Sequence, residues 1–299
     1  MRRSEDACGG DHALFVGDTV YDSTVRVRRL PGPDEKVVGI EVVDAAGGVV
    51  TNAAVACART GIPARLCSAL GTDAAARACH DELVGLGVEA DAETVEGAAN
   101  RAVISLAADG EKQLVLVPGV RMYPSPEACR DLDLDGVAWV HTAVYDVAAA
   151  EVLRDRCAAA GIPWSIDLEP ATFETGIEAL APHLKGAAVA FCNSRAAAAI
   201  GPDPSATLLS MGVAAVVRSD GAAGARWVTL AGEQRVSAPN SVVPVVDTTG
   251  AGDCLAGSFV GLMIETGDPA VSLRYAVRAA SRSCGALGGH RSYPSREEM

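Results

Sequence analysis

The pattern of apolar and polar positions changes character along this chain. Residues 12–18 form a solid apolar run that ends in a turn, which predicts a buried first strand. Residues 37–43, 102–106 and 113–117 read as further strands, and Ala108-Asp109-Gly110-Glu111 joins the last two as a hairpin. Helical spacing holds over residues 51–60 and 74–86. From Val137 onward strand and helix alternate. Strands are predicted at 137–142, 164–166, 188–191 and 214–217, and helices at 147–160, 195–200 and near 206–211. That alternation predicts a parallel sheet with helices on both faces. The early β-rich segments do not fit it. They are assigned to a small sheet standing off one edge, with strands within about 22–46 and 98–120. No repeat or low-complexity linker interrupts the chain, so residues 1–299 read as a single α/β domain with that appendage.

One stretch carries chemistry. Asp247-Thr248-Thr249-Gly250-Ala251-Gly252-Asp253 follows a β-branched segment, 241–246, that reads as extended although Pro244 interrupts it. It precedes an apolar helical run, 254–263, which stops near Gly267-Asp268-Pro269. A Gly-Ala-Gly turn at a helix N-terminus aims unpaired backbone N–H groups outward, and the helix dipole favours an anion there. Asp253 stands beside that anion site and can take a proton from a hydroxyl. The bland alternative is a tight turn with a favourable first-turn charge. Seven specific residues in one run favour chemistry.

Two earlier segments add to this. Gly47-Gly48-Val49-Val50-Thr51-Asn52 opens a helix after a loop. Adjacent glycines let a ligand approach the backbone, and Asn52 can donate to and accept from hydroxyls. A flexible turn explains the same residues equally well. Gly17-Asp18-Thr19-Val20-Tyr21-Asp22 follows the first strand, where an open α/β sheet binds small polar ligands. An Asx turn is the competing reading of its acid.

Composition removes several function classes. The net charge of −13 argues against nucleic acid and against an anionic membrane surface. No apolar run is long enough to span a bilayer, and Met1-Arg2-Arg3-Ser4-Glu5-Asp6 leads into no apolar leader segment. Nine scattered cysteines (Cys8, Cys57, Cys67, Cys79, Cys129, Cys157, Cys192, Cys254 and Cys284) include no C-x-x-C pair. They read as buried small hydrophobes of a reducing cytoplasm. Cys254 adjoins Asp253, but its apolar neighbours give it a packing role. His12, His80, His141, His183 and His290 show no metal-ligand spacing. Arg26, Arg28 and Arg29 read as a solvated strand of the small sheet.

These residues resemble the ribokinase-like (pfkB) carbohydrate kinase family from Gly17 to Glu298. Asp247 to Asp253 matches its C-terminal signature without gaps. Gly47-Gly48, Asn52, Ala53, Gly61, Leu70-Gly71 and Asp73 represent the N-terminal one. Ser219-Asp220-Gly221-Ala222-Ala223-Gly224 resembles its nucleotide loop, and the segment from Gly288 to Glu298 its usual ending. The resemblance implies a Rossmann-like domain with a small β lid through which homodimers form. It also implies transfer of the γ-phosphate of ATP, with Mg2+, to a hydroxyl of a sugar. Carried over by position, Asp253 is the base and Gly250, Ala251 and Gly252 form the anion hole. Asp22, Gly47, Gly48 and Asn52 hold the acceptor, and Asn193, Ser219, Gly221 and Gly224 meet the nucleotide. Asp247, Thr249 and Ser292 belong to a monovalent-cation site for K+.

One departure stands out. The family often carries Asn-x-x-Glu before a helix, and here the run is Asn193-Ser194-Arg195-Ala196. Arg195 cannot replace a carboxylate at a cation. Ketohexokinase-like branches resemble this chain in lacking the acid. Two alternatives follow within the fold: an adenosine-type nucleoside kinase, and a non-catalytic sugar or nucleotide sensor. Before Trp139 the aromatics are Phe15, Tyr21 and Tyr123 only, which favours a sugar over a base. A dinucleotide-dependent oxidoreductase would need Gly-x-Gly-x-x-Gly after the first strand, and Gly17-Asp18-Thr19 offers one glycine.

Overall fold

The computed structural model describes residues 11–108, 110–239 and 244–299. Cys8, the first six residues, Asp109 of the hairpin and residues 241–243 of the extended segment lie outside that description.

The chain opens with β1 (His12–Gly17), β2 (Val20–Val27), β3 (Gly39–Gly47), α1 (Val49–Arg59), β4 (Ala64–Leu70), α2 (Ala74–Gly85) and β5 (Val88–Thr94). The hairpin β6 (Arg101–Leu106) and β7 (Lys112–Val117) follows, then α3 (Pro126–Asp131), β8 (Val137–Ala143), α4 (Val147–Ala160) and β9 (Trp164–Asp167). Next come α5 (Ala181–Leu184), β10 (Val189–Cys192), α6 (Ser194–Ile200), α7 (Pro204–Ser210) and β11 (Ala215–Ser219). The chain closes with β12 (Ala225–Thr229), β13 (Gly232–Val236), α8 (Ala251–Thr266) and α9 (Pro269–Ser283).

The main sheet runs β13-β12-β11-β10-β9-β8-β1-β4-β5. It is parallel from β11 to β5, and β12 and β13 extend it as antiparallel strands. The solid apolar character of β1 follows from its central place, since both its faces are covered. Ala13 and Phe15 enter a core with Val50, Phe259 and Leu273, while Leu14 and Val16 enter the opposite core with Val140, Leu153 and Leu208.

The early strands build a separate four-stranded sheet in the order β3-β2-β6-β7. β2 pairs antiparallel with β3 and parallel with β6, and β6 pairs antiparallel with β7. The third strand begins and ends later than the sequence pattern suggests, at Gly39–Gly47 instead of 37–43, because its pairing with β2 runs back to Gly47 opposite Val20. Of the extended segment 241–246, the described residues 244–246 belong to no strand, and the Val246 N–H donates to the Cys284 carbonyl at 2.8 Å.

Most longer helices begin on an acid or hydroxyl that caps them: Asp73 for α2, Asp146 for α4, Asp203 for α7 and Asp268 for α9. Helices α1 and α8 begin instead on Gly48 and Gly250, both at positive φ, and neither glycine supplies a side-chain cap. These two helices flank the site.

Candidate active site

β1 lies between β4 and β8, so the strand order reverses there, the point at which open α/β sheets bind ligands outside the carboxyl ends of their strands. Asp18 leaves β1 at this point. It is buried, and its two carboxylate oxygens accept the Val49 and Val50 N–H groups at 2.9 and 3.0 Å. Asp18 therefore caps α1 from a distant strand. Thr51 Oγ1 also donates to its carbonyl at 2.7 Å. The acid at the end of the first strand is committed to holding α1.

Asp22 takes the other position. It sits on β2, and a side chain at Gly47 would overlap its carboxylate. A side chain at Gly48 would strike the Asp18 backbone. The two glycines thus let β2, β3 and the start of α1 converge. Burial, and then the charge of Asp18, push Asp22 up to about 7.

Helices α1 and α8 meet closely, because a side chain at Gly257 would collide with the Ala53 carbonyl. The approach brings Asn52 to Asp253: Asn52 Nδ2 donates to Asp253 Oδ2 at 2.8 Å, across 201 residues of sequence. The Asn52 Oδ1 atom is buried and has no partner. Asp253 lies in the first turn of α8. Burial raises it to about 8, the Asn52 bond opposes that rise, and Glu169, Asp18 and Asp22 add to it.

Gly250 has φ 76, and a side chain there would fall on the Tyr293 hydroxyl. Tyr293 OH donates to the Gly250 carbonyl at 2.6 Å, fixing the turn. Gly252 faces open space. Asp247 is buried and organises the loop. Its Oδ1 accepts from Thr249 N at 2.9 Å and Thr249 Oγ1 at 2.7 Å, and its Oδ2 accepts from Gly288 N at 3.1 Å. Ser292 donates to the Ser283 carbonyl. The three residues assigned to a monovalent cation therefore spend these oxygens on loop contacts. Buried His290 bonds the Ala46 carbonyl through Nε2 at 2.8 Å and so ties the tail to the residue before Gly47.

The nucleotide-side residues gather at the ends of β10 and β11. Asn193 caps α6, its Oδ1 accepting from Arg195 N and Ala196 N at 2.9 Å each. Ser219 ends β11, and Gly221 opens the short 3-10 turn Gly221–Ala223. Asp220 in that loop pairs with Arg226 through both oxygens, at 2.7 and 2.8 Å. Gly224 has a structural reason of its own, since a side chain there would collide with the Val236 carbonyl. Ala196 is fully buried in the core.

Sequence reasoning missed four residues here. Asp167 and Glu169, at the end of β9, are raised by burial and by neighbouring acids, and Arg195 pulls Glu169 back down. Tyr145, after β8, is raised well above its ordinary value first by burial and then by the charges of Asp18, Glu169, Asp167 and Asp253. Lys112, the first residue of β7, donates from Nζ to Thr249 Oγ1 at 3.1 Å. The rule that such sheets bind ligands at strand ends, applied to the strand at 164–166, is the signal that would find Asp167 and Glu169. Among the described residues no group of three or more acidic, histidine or cysteine side chains converges to hold a metal.

Residues 11–296 match the pfkB family carbohydrate kinase profile. The chain belongs to that family. The pfkB kinases are phosphotransferases acting on an alcohol group, and this chain is an enzyme of that class. It is 27% identical over 290 residues to a Bacillus subtilis ribokinase, covering 95% of this chain and 96% of the relative. It is 28% identical over 293 residues to an ATP-dependent ribose-1-phosphate kinase of Halopiger xanaduensis, covering 96% of each. Among solved structures, Arabidopsis thaliana ribokinase complexed with ribose and ATP superposes with a TM-score of 0.79 at 23% identity over 97% of each chain. The pfkB fold, a mostly parallel sheet with helices on both faces, is the one predicted from the strand–helix alternation. No described helix is long and apolar enough to cross a membrane.

Proposed function

We propose that this pfkB kinase transfers the γ-phosphate of ATP to a hydroxyl of a sugar, with Asp253 as the base. The observation that carries the reading is the Asn52–Asp253 bond at 2.8 Å beside an uncapped helix start. Asn52 holds one carboxylate oxygen, which leaves the other to receive the hydroxyl proton. Asp22 and Asn52 Oδ1 orient the acceptor, and the bare backbones of Gly47 and Gly48 let Asp22 and Asp18 sit close against the start of α1. As the proton moves to Asp253, the acceptor oxygen forms a bond to the γ-phosphorus, the bridging P–O bond breaks and ADP leaves. The N–H groups at Gly250 and Gly252 take up the charge that develops on the phosphoryl oxygens, and the Ala251 N–H joins them once its 3.3 Å bond to the Thr248 carbonyl opens. A base near pKa 8 matches this task.

The donor ATP is supported by the Halopiger relative, which is ATP-dependent. With no cage of metal ligands among the described residues, magnesium would arrive on the nucleotide, bridged by phosphates and water. We assign to Glu169, a carboxyl raised by burial and drawn back by the Arg195 charge, the part of the acid absent at Ala196. Equal turnover with and without a chelator at saturating ATP would remove magnesium from the scheme. A K+ ion at Asp247, Thr249 and Ser292 would depend on carbonyls more than on their engaged side chains.

A sugar fits better than a nucleoside. Phe15 packs edge-on to His141 in the core, Tyr123 is buried against Thr142 at 2.6 Å, and Tyr21 lies under Arg101. None of these rings is free to stack on a base. A phosphorylation panel of pentoses, ketoses and nucleosides tests the reading. Turnover confined to sugars is expected, and turnover confined to nucleosides overturns it.

The small sheet acts as the lid of this site and joins two copies of the chain in a cytoplasmic homodimer. Strand alternation puts Ile40, Val42, Val103, Val115 and Val117 on its outer face, 44% to 59% exposed. Such a face favours a cover, and a second lid is the self-complementary one.

A further inference from the structure

We infer that Lys112 is a phosphate-contacting residue of this kinase, delivered by the small sheet to the mouth of the Gly250–Gly252 turn. The inference rests on the kinase reading above and adds to it a residue outside both sequence signatures.

Lys112 Nζ lies 3.1 Å from Thr249 Oγ1, although 137 residues separate them in sequence. Thr249 directly precedes the turn. A closed circuit of contacts holds the lysine there. Lys112 pairs with Leu106 across the β6–β7 hairpin. Leu106 packs with Val43 and Leu287 in a small apolar cluster. Gly288, next in sequence, donates to Asp247, and Asp247 accepts from Thr249, which returns to Lys112. Strand alternation sets Lys112 on the same face as Leu106 and Ile104, the face turned toward the main domain.

The electrostatics give this placement a purpose. Asp18, Asp22, Asp167, Glu169 and Asp253 crowd the site, and burial favours the protonated form of each. Any of these carboxyls that ionises repels an arriving triphosphate unless a cation accompanies it. Lysine suits the place: its ammonium is a compact charge with three donors on a flexible stem. The Thr249 bond uses one donor and leaves two for terminal phosphate oxygens. The charge of Arg195 is felt by Glu169. The chain has only three lysines, and Lys36 and Lys185 lie on other segments.

Calorimetric titration of the full chain with a non-hydrolysable ATP analogue and with ADP, each with Mg2+ and without acceptor, tests this. Lys112→Met keeps the stem and removes the charge, Lys112→Arg keeps the charge, and thermal melts confirm that both variants fold. Lys112→Met should weaken the triphosphate analogue about 10-fold or more and ADP less than about twofold, with Lys112→Arg restoring most of the loss. In turnover, kcat/KM for ATP should fall about 10- to 100-fold while the acceptor KM stays within about twofold. Unchanged triphosphate affinity in Lys112→Met overturns the inference. So does an equal loss for triphosphate and diphosphate, which would place the ammonium away from the terminal phosphate. If the parent chain phosphorylates no acceptor, the kinase reading fails, and the binding comparison still decides Lys112.

Discussion

Asp253 is costly to keep where it is. An aspartate in the unfolded chain ionises near 4, whereas burial holds this one near 8. Between those values the folded state binds a proton that the unfolded state has released. Stability is therefore full below about pH 4 and declines as pH rises to about 8. Asp253→Asn removes that cost. Its melting temperature should exceed the parent's at pH 8, with the gap closing toward pH 4. The same substitution removes the base, so kcat should fall about 10^2- to 10^4-fold while acceptor binding persists. Unchanged turnover would mean that another group takes the proton. The parent should also show kcat/KM for the acceptor rising with pH through about 8, since the base must be ionised. Asp22, near 7, titrates in the same window, so Asp22→Asn should leave the limb near 8 in place. The motif from Asp247 to Asp253 was legible because its residues are contiguous. Glu169, Tyr145 and Lys112 were not, since each gains meaning only when distant strands set it beside Asp253 or Thr249.

At the scale of elements, the site is a product of how α1 and α8 meet. Gly257 faces the Ala53 carbonyl and Gly261 faces Thr60, so both helix surfaces are flat where they touch. Gly257→Val should cost about 1–3 kcal/mol in urea unfolding through overpacking. It should also lower kcat by parting Asn52 from Asp253. A variant that loses stability at constant kcat would show that the site tolerates a wider helix spacing. Gly252→Ala makes the opposite test. Open space surrounds Gly252, so alanine should fold normally, and any loss of ATP turnover reports a phosphate that needs the backbone bare. Helices α1, α2, α4, α6, α7 and α8 and most apolar strands were readable from sequence, whereas α9 was not. β5, β12 and β13 were not, because their polar or mixed residues suit a sheet margin and pair by register more than by pattern. Strand β4 escaped for a related reason, with Arg65 and Ser68 interrupting its apolar run.

Across the whole molecule, the small sheet faces two demands. Its inner face carries Asp22 and Lys112 toward the reaction, whereas its outer face leaves five β-branched side chains open to water. A four-stranded sheet is thin support for the proposed phosphate-contacting lysine and acceptor-binding acid. Covering the outer face with a second copy would stiffen it and bury the apolar surface in one step. Val115→Asp places a charge in the middle of that face without touching the inner one. Light scattering after size exclusion should then give a dimer for the parent and a monomer for the variant. If dimerisation supports the lid, the monomer should also bind ATP and acceptor more weakly, and high protein concentration should not restore the loss. A parent that is monomeric at micromolar concentration removes the second copy as the cover. A monomeric variant with parental kinetics would show that the circuit from Leu106 through Leu287 to Thr249 suffices to hold the lid in place.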